Sequence, residues 1–253
     1  MKTVSVVIPS MLSTDLAGKL YLQTAIDSVF AQTCYGGHVR IFVGVDRDAD
    51  TPSLLPAPYG IFPSTGKSLS KAVNAAAATI DSDFVAMLED DDKWHPAFLA
   101  TALAALETTD FCSSTQIEVD PSGDVVRIND FPTPSGWVMR REVWEKVGGF
   151  NEEYQIHQDN EWLGRLSASG AHRVHLVEKT APIHPEMVAQ VRPWLANVQK
   201  VSALRRHSSP VPLVTRQVHV DSWMGRVSAG GDAERKSHEC YQMLMNRFGT
   251  IPW

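Results

Sequence analysis

The sequence has little cysteine and no long apolar run, and each shortage argues against a class of protein. Its three cysteines, Cys34, Cys112 and Cys240, are odd in number, widely separated and contain no Cys-x-x-Cys pair. This pattern indicates a reduced, intracellular protein. No run of about 18 apolar residues occurs, which argues against a transmembrane helix. The N-terminus lacks the apolar core and cleavage site of a signal peptide, so we expect a cytoplasmic location.

Three common phosphate and cation motifs are also missing. No Gly-x-Gly-x-x-Gly follows the first predicted strand, which argues against a dinucleotide-dependent dehydrogenase. The stretch Gly66-Lys67-Ser68 ends like a P-loop, but Ile61 stands where its first glycine is required. The calcium-loop pattern Asp-x-Asp-x-Asp-Gly with Glu at its twelfth position is absent as well.

The composition is that of an ordinary globular protein with an uneven charge distribution. The chain has 253 residues, of which 43% are hydrophobic and 21% charged, enough for one large domain or one domain with an appendage. Residues 200–253 contain eight Lys/Arg and four Asp/Glu, a local charge of +4. Because the net charge of the whole chain is −6, residues 1–199 carry a charge of −10. The basic segment could close over phosphates or contact a polyanion, or be a solvated helical tail.

The first half of the chain alternates between two kinds of apolar pattern. Short apolar runs typical of strands are separated by stretches in which apolar residues recur at helical spacing. This alternation implies right-handed crossovers and a parallel, doubly wound sheet. The predicted strands are 4–8, 39–45 and 84–88, and the predicted helices are 22–30, 69–80 and 98–106, with a proline-rich loop at 52–63.

The second half has a less regular pattern. The turn sequence at 120–123 indicates that two strands are joined there. Gly148-Gly149 end one predicted short helix and Gly170 ends another, since glycine commonly follows the last residue of a helix. The predicted strands are 111–119, 125–128 and 173–177, and the predicted helices are 141–147, 159–169, about 187–204 and about 233–247.

Acidic residues follow two of the predicted strands directly. The run 84–88 reads as a strand buried on both faces, and Glu89, Asp90, Asp91 and Asp92 come next. Like charges this close repel one another unless a cation is bound, and ligands of open α/β sheets lie beyond the carboxyl ends of the strands. Oxygen ligands without thiolates favour Mg²⁺ or Mn²⁺. Pro96 suits the first turn of the next helix. The second group of acidic residues, Asp46, Asp48 and Asp50, follows the predicted strand 39–45.

The order of the motifs resembles family 2 glycosyltransferases, which have the GT-A fold. Residues 4–9 look like the opening strand of that family, and 23–33 are similar to its first helix. Val43-Gly44-Val45-Asp46 matches the strand whose terminal aspartate contacts the nucleotide base. Residues 88–96 resemble the Asp-x-Asp metal motif, with Glu89 in the first acidic position. Residues 148–152 and 158–162 are similar to the segment that carries the catalytic base.

The resemblance implies a fold, a division of the chain and a set of site residues. The fold would be a Rossmann-like, mostly parallel sheet with helices on both faces and a small C-terminal helical extension. Residues 1–182 would form the catalytic domain, with a nucleotide-sugar half at 1–110 and an acceptor half at 111–182, and 183–253 would close over the site. The implied donor residues are Pro9, Ser10, Asp46, Lys71, Asn74, Glu89 and Asp90, the metal ligands Asp91 and His184, and the acceptor residues Gly136, Trp137, His157 and Trp162.

Several of these assignments have alternatives that the sequence leaves open. A register shifted by one would bind the metal through Asp90 and Asp92, and Asp92 could instead cap the next helix. His184 could be an ordinary hydrogen-bonded side chain, and tryptophans are more often core than ligand contacts. Asp159 is the predicted catalytic base, although it could be only a helix N-cap.

The predicted reaction moves a sugar from a nucleotide-diphosphate donor to an acceptor hydroxyl, with a Mn²⁺ or Mg²⁺ ion and inversion at the anomeric carbon. One rival is a nucleotidyltransferase on a similar sheet, for which a glycine-rich loop would be expected after the first strand. Pro9-Ser10-Met11 offers none. Another rival is a non-catalytic nucleotide- or glycan-binding module. The acceptor could be a glycan or another hydroxyl-bearing molecule, including a hydroxylated nucleic-acid base contacted by the basic C-terminal segment.

Overall fold

The computed structural model describes residues 2–15, 17–32, 38–45, 59–178, 204–209, 212–219 and 222–250. Within these residues the strands form two sheets. The small sheet contains β5 Lys93–Trp94, β7 Gln116–Val119, β8 Val125–Asn129 and β12 Val214–Gln217. The large sheet contains β1 Thr3–Ser10, β2 His38–Val45, β3 Tyr59–Pro63, β4 Phe84–Met87, β6 Phe111–Ser114, β9 Val138–Arg140, β10 Arg173–Glu178 and β11 Leu204–Ser209.

The large sheet is parallel except for one strand. Its order is β11-β10-β6-β9-β4-β1-β2-β3, and only β9 among these runs antiparallel to its neighbours β4 and β6. The predicted mostly parallel sheet is therefore confirmed. Strands β3, β9 and β11 were not predicted, and residues 59–63 pair with β2 rather than continuing the proline-rich loop.

Helices cover both faces of the large sheet, as predicted. Two of them pack in the apolar cluster that contains Val6 and Ala86, and three in the cluster that contains Val7 and Val85. Neighbouring strand residues point to opposite faces, which is why two separate clusters form. The first pair is α1 Tyr21–Phe30 and α3 Phe98–Ala105, and the other three are α2 Leu69–Ala77, α4 Arg141–Val147 and α5 Gln158–Ser169.

Two local details position the loops around the sheet. The side chain of Ser68 caps α2 by accepting a hydrogen bond from the Lys71 amide at 3.1 Å. Helix α3 begins at Phe98 with Ala97 as its N-cap, so Pro96 precedes the helix and does not lie in its first turn. That expectation was wrong because Lys93–Trp94 forms a short strand before the helix starts.

The small sheet takes strands from distant parts of the chain. The sequence predicted one strand over 111–119, but the chain leaves the large sheet after β6 and joins the small sheet as β7. Strand β12 pairs with both β7 and β5. Residues 214–217 therefore lie beside the segment that follows the acidic loop, although more than a hundred residues separate them in sequence.

The C-terminal segment contributes strands as well as helices. Its described helices are α6 Trp223–Ser228 and α7 Asp232–Phe248, and α7 confirms the helix predicted near 233–247. Most of the predicted helix near 187–204 lies outside the described residues, and Leu204 begins β11. The domain boundary at 182/183 stays a prediction. No helix in the described ranges is both long and apolar enough to cross a membrane.

Candidate active site

A cavity of about 440 Å³ opens beyond the carboxyl ends of β1 and β4. Its lining comes from the loops after both strands, the N-terminal end of α2 and the segment around β12 and α6. These parts of the chain meet at the sheet edge where ligands of open α/β sheets bind. The lining includes Pro9, Ser10, Met11, Tyr21, Lys67, Ser68, Glu89, Asp90, Asp91, Arg216, His219, Met224 and Arg226.

The acidic residues after β4 turn back on themselves and converge. The Asp92 amide donates to the Glu89 carbonyl at 3.1 Å, which closes the turn. Carboxylate oxygens of Glu89, Asp91 and Asp92 all lie within 4.8 Å of one another. Three carboxylates at this separation provide several oxygen ligands for a hard divalent cation.

Asp92 differs from its neighbours because protein donors occupy both of its oxygens. Ser135 donates its hydroxyl to Oδ2 at 2.5 Å, and the amide of Gln217 donates to Oδ1 at 3.1 Å. The side chain is only 1% exposed. Asp92 therefore fastens β12 to the acidic loop, and it is not a cap of α3, whose N-cap is Ala97.

Asp90 is held on the side of the first strand. Ser10, the last residue of β1, donates its hydroxyl to Asp90 Oδ2 at 2.5 Å. Burial raises the pKa of Asp90 to about 7, and the charge of Asp91 adds to the rise, although the Ser10 hydrogen bond opposes it. This hydrogen bond joins the end of β1 to the loop that follows its neighbour β4, and both residues line the cavity.

Asp91 faces a histidine from the C-terminal segment. His219 Nε2 lies 3.1 Å from Asp91 Oδ2. The His219 ring also stacks on Tyr21 at the start of α1, with 5.3 Å between ring centroids and 18° between the planes. The stack and the Asp91 contact fix the orientation of the imidazole.

Arg216 brings a buried positive charge to the same cluster. It donates to Glu118 Oε1 at 3.0 Å and lines the cavity. Burial alone would lower the pKa of Arg216, but the charges of Glu89, Asp92 and Glu118 raise it above its ordinary value. Arg216 is therefore a permanent cation among the carboxylates.

Glu89 shows how closely these charges interact. Burial raises its pKa to about 7; the guanidinium of Arg216 opposes the rise, and Asp91, Asp159 and Asp90 add to it. Asp159 thus contributes to the raised pKa of Glu89 through its charge, although 70 residues separate the two in sequence. Asp159 lies in the first turn of α5, and the N-cap of this helix is His157.

The comparisons with known proteins give the same family as the sequence motifs. The model of glycosyl transferase family 2 matches residues 5–154, more than half of the 253-residue chain. The chain belongs to glycosyl transferase family 2. No curated protein matches the sequence.

Solved structures of S. aureus TarS share the fold. TarS 1–349 with UDP is 14% identical, with a TM-score of 0.57, over 98% of this chain and 72% of that one. TarS 1–349 with UDP-GlcNAc is 14% identical, with a TM-score of 0.61, over 96% and 65%. A longer TarS chain is 14% identical, with a TM-score of 0.58, and this chain spans 43% of it. The similarity confirms the predicted GT-A fold.

The donor residues expected from the family separate into two groups. Pro9, Ser10, Glu89 and Asp90 line the cavity. Lys71 is not part of that lining. Asn74 donates to the Phe150 carbonyl at 2.9 Å and accepts from the Phe150 amide at 2.8 Å, so it joins α2 to the loop before α5. Asp46 and His184 lie outside the described residues, as do Asp48 and Asp50.

The structure corrects the expectation for two of the four acceptor residues. Trp137 and Trp162 are fully buried and stack on each other at 5.0 Å. Their indole N–H groups donate to the carbonyls of Pro132 and Gly148 at 2.8 Å. Because neither side chain is exposed, both are core residues, which is the alternative that the sequence left open.

The other two residues have close protein neighbours. A Cβ on Gly136 would meet Ser114 Oγ at 2.8 Å, so glycine is needed for packing there. His157 Nε2 lies 2.9 Å from the hydroxyl of Ser237 on α7. Both contacts are structural, and direct acceptor binding by either residue stays a prediction.

The cavity contains functional candidates that the sequence did not single out: Tyr21, Lys67, Arg216, His219 and Arg226. A late histidine was expected for the metal, but at 184 rather than 219. The available signal was the β-branched residues Val214, Thr215 and Val218, a residue type that is enriched in strands. The pairing partners of such a short strand could not be predicted from the pattern.

Proposed function

We propose that this chain transfers a sugar from a nucleotide-diphosphate sugar to an acceptor hydroxyl, with a divalent cation and inversion at the anomeric carbon. The observation that supports the proposal most strongly is the convergence of the acidic loop, His219 and Arg216 on one cavity at the carboxyl ends of the strands. Membership of the family makes the transfer of a glycosyl group the expected reaction.

The residues of the cavity suit a Mn²⁺ or Mg²⁺ ion. Glu89 and Asp91 offer carboxylate oxygens, and His219 offers Nε2 beside Asp91, a mixed set compatible with Mn²⁺. Asp92 is the weaker candidate because both of its oxygens already accept hydrogen bonds. This favours the Glu89/Asp91 register. A bound ion would act as a Lewis acid on the leaving diphosphate.

The chain also offers positive groups for the phosphates. Arg216 lines the cavity with its charge maintained by the surrounding carboxylates. Lys67 lies in the lining just before the Ser68-capped N-terminal end of α2, where the helix dipole favours an anion. These groups would bind the diphosphate and stabilise the charge that develops on it as the sugar leaves.

Asp159 is the proposed general base. Its charge acts on Glu89, which supports a position close to the donor site. A carboxylate in the first turn of α5 is favoured by the helix dipole and remains available to accept the proton of the attacking hydroxyl. Attack from the side opposite the leaving group would invert the anomeric configuration.

The proposed acceptor is a hydroxyl-bearing molecule such as a glycan. The nucleic-acid alternative rested on the charge of +4 in residues 200–253. Several of those cations are already paired: Arg216 with Glu118, Arg247 with Glu161, and Arg235 and Lys236 with Asp232. Pairing reduces the positive potential available to a polyanion, so a glycan acceptor is the better-supported proposal.

A donor panel tests the proposal. The protein is incubated with UDP-, GDP-, ADP-, CDP- and dTDP-sugars with and without Mn²⁺, and released nucleotide diphosphate and the melting temperature are measured. UDP-GlcNAc is tested first because TarS, which shares the fold, was crystallised with it. We expect one donor to raise the melting temperature and to be hydrolysed or transferred only when the ion is present.

Variants separate the proposed roles. Asp159→Asn should abolish turnover and retain donor-induced stabilisation. In a non-catalytic binding module, the variant and the wild type would behave alike. Asp81→Asn is the matched control, since Asp81 is exposed and forms an ion pair with Arg40 at 2.7 Å. Pyrophosphate release from a nucleoside triphosphate would instead indicate a nucleotidyltransferase, and no stabilisation by any donor would contradict the proposal.

A further inference from the structure

The C-terminal helix α7 contacts α5 on both sides of the proposed base. His157, two residues before Asp159, has its Nε2 2.9 Å from the hydroxyl of Ser237. Glu161, two residues after Asp159, accepts a hydrogen bond from Arg247 at 2.6 Å. Ser237 and Arg247 are ten residues apart on α7, so the two contacts lie almost three turns apart on that helix.

These contacts use one face of α5. Positions 157, 161 and 164 recur at helical spacing and therefore lie on the same side. At the third position, Gly164 allows the Phe248 ring to approach so closely that an added Cβ would be 2.5 Å from it. Asp159 lies about 200° around the helix from Glu161, which contacts Arg247, so it points away from α7.

The backbone just before Asp159 is held in an unfavourable conformation. His157 has φ 61° and ψ 23°, the left-handed region, which residues other than glycine rarely adopt. Such a conformation persists only where surrounding contacts impose it. The hydrogen bond to Ser237 is such a contact, and it comes from α7.

The second contact is buried and charged. Glu161 is 0% exposed and also pairs with Arg165, which donates to it at 2.9 Å and to the Gly149 carbonyl at 2.6 Å. Nearby, Tyr154, Cys240 and Leu244 form a small apolar cluster between the segment before α5 and α7. The interface is therefore fixed by charge, hydrogen bonding and apolar packing together.

We propose that α7 is a brace that fixes the position of Asp159 relative to the acidic loop, with Ser237 and Arg247 as positioning residues for the transfer step. The inference rests on the proposed function of Asp159. The brace acts through His157 and Glu161, because the direction of the Asp159 carboxylate follows the backbone between those two residues. Neither Ser237 nor Arg247 lines the cavity.

Arg247→Met is the main test of the brace. Glu161 keeps its Arg165 partner in this variant, so the buried charge stays paired and the protein should fold. With an active donor and saturating Mn²⁺, we expect kcat to fall about tenfold or more, since small misplacements of a catalytic group cost this much. Donor KM should stay within about twofold of the wild type, because the donor site itself is untouched.

The controls come from the same helix and the same position. Arg235→Met removes an exposed arginine whose ion pairs, among the described residues, are with Asp232 and Glu239 of α7 itself, and it should leave kcat unchanged. Arg247→Lys should recover part of the lost rate because a cation still reaches Glu161. Ser237→Ala tests the other contact without removing a charge, and it should lower kcat in the same direction as Arg247→Met.

Hydrogen exchange provides a readout that does not depend on turnover. Amides of residues 157–161 should exchange faster in Arg247→Met than in Arg235→Met, while residues 84–92 should be unchanged. Equal kcat in these two variants, a donor KM that rises in step with the loss of kcat, or unchanged exchange at 157–161 would overturn the brace. If the wild type transfers no sugar from any donor, the proposed function fails, and exchange alone then decides whether α7 braces α5.

Discussion

Adjacent acidic residues in the loop after β4 have different surroundings, so their substitution should affect different properties of the protein. Asp91 faces the cavity and His219, whereas Asp92 is buried and holds Ser135 and the Gln217 amide. We expect Asp91→Asn to lower Mn²⁺ affinity and reduce kcat by about 10²-fold or more, since it would remove a charged ligand of the proposed ion. Mn²⁺ titration followed by electron paramagnetic resonance and steady-state kinetics measure both effects.

Asp92→Asn should instead destabilise the fold. An amide can accept only through one oxygen and would place an N–H group opposite a donor, at a cost of about 1–3 kcal/mol. Denaturant unfolding measures this loss. A Mn²⁺ affinity that falls more in Asp92→Asn than in Asp91→Asn would show that the register of the metal site is the reverse of the one proposed.

Glu118 links stability to pH. Burial would raise its pKa, but hydrogen bonding to Arg127 and the charge of Arg216 lower it below its ordinary value of 4.5. A lowered folded-state pKa means that this stabilisation is present above pH 4.5 and is lost as the pH falls through the folded-state value. Glu118→Gln should therefore melt below the wild type at pH 7. The difference should shrink below pH 4.5, and a constant difference in melting temperature would contradict this account.

The individual residues of the site were only partly predictable from the sequence. Glu89 to Asp91 were found because acids directly after a buried strand are costly without a ligand. Arg216 and His219 were not found, because their proximity to those acids depends on the pairing of β12 with β5 and β7. Trp137 and Trp162 were assigned to the acceptor from family motifs, and burial alone shows that they are core.

Among the secondary-structure elements, the packing of α2 on β2 has the least room for change. A Cβ on Gly44 would lie 1.9 Å from the Ala72 carbonyl oxygen, a backbone atom that cannot move without shifting the helix. We expect Gly44→Ala to destabilise the protein by about 2–4 kcal/mol by overpacking. Thermal and denaturant unfolding measure this effect.

Gly66→Ala is a suitable comparison for Gly44→Ala. The atom nearest to its added Cβ is the Lys71 amino group at 3.2 Å, the end of a flexible side chain. Its stability should change by about 0.5 kcal/mol or less, as is usual for substitutions without a clash. Equal losses in the two variants would show that the α2–β2 contact is looser than the structure implies.

The elements themselves were predicted best where their apolar patterns were long. Helices α1, α2, α3 and α5 and strands β1, β2 and β4 all lie where the patterns indicated. The failures were short strands such as β3, β5, β9 and β12, whose existence depends on a neighbour that the local sequence does not reveal. The split of 111–119 between two sheets has the same cause.

For the molecule as a whole, donor and metal binding should be coupled. Chelation of divalent ions should abolish transfer, and Mn²⁺ should restore it, if the ion bridges the acidic loop and the diphosphate. A donor at about 100 times its Kd should stabilise the folded state by about 2.7 kcal/mol. The melting temperature measured with donor alone, Mn²⁺ alone and both tests this, and additive shifts would contradict the coupling.

Strands β11 and β12, from the C-terminal part of the chain, pair with strands from earlier parts of the sequence. The cavity is lined by distant parts of the sequence: Glu89, Asp90 and Asp91 from the acidic loop, and Arg216 and His219 from the last quarter. A protein divided between residues 178 and 204 would thus yield two inactive pieces. On mixing, we expect the smaller piece to pair again with β10 and between β5 and β7, so that recovery of the proposed sugar transfer would report reassembly.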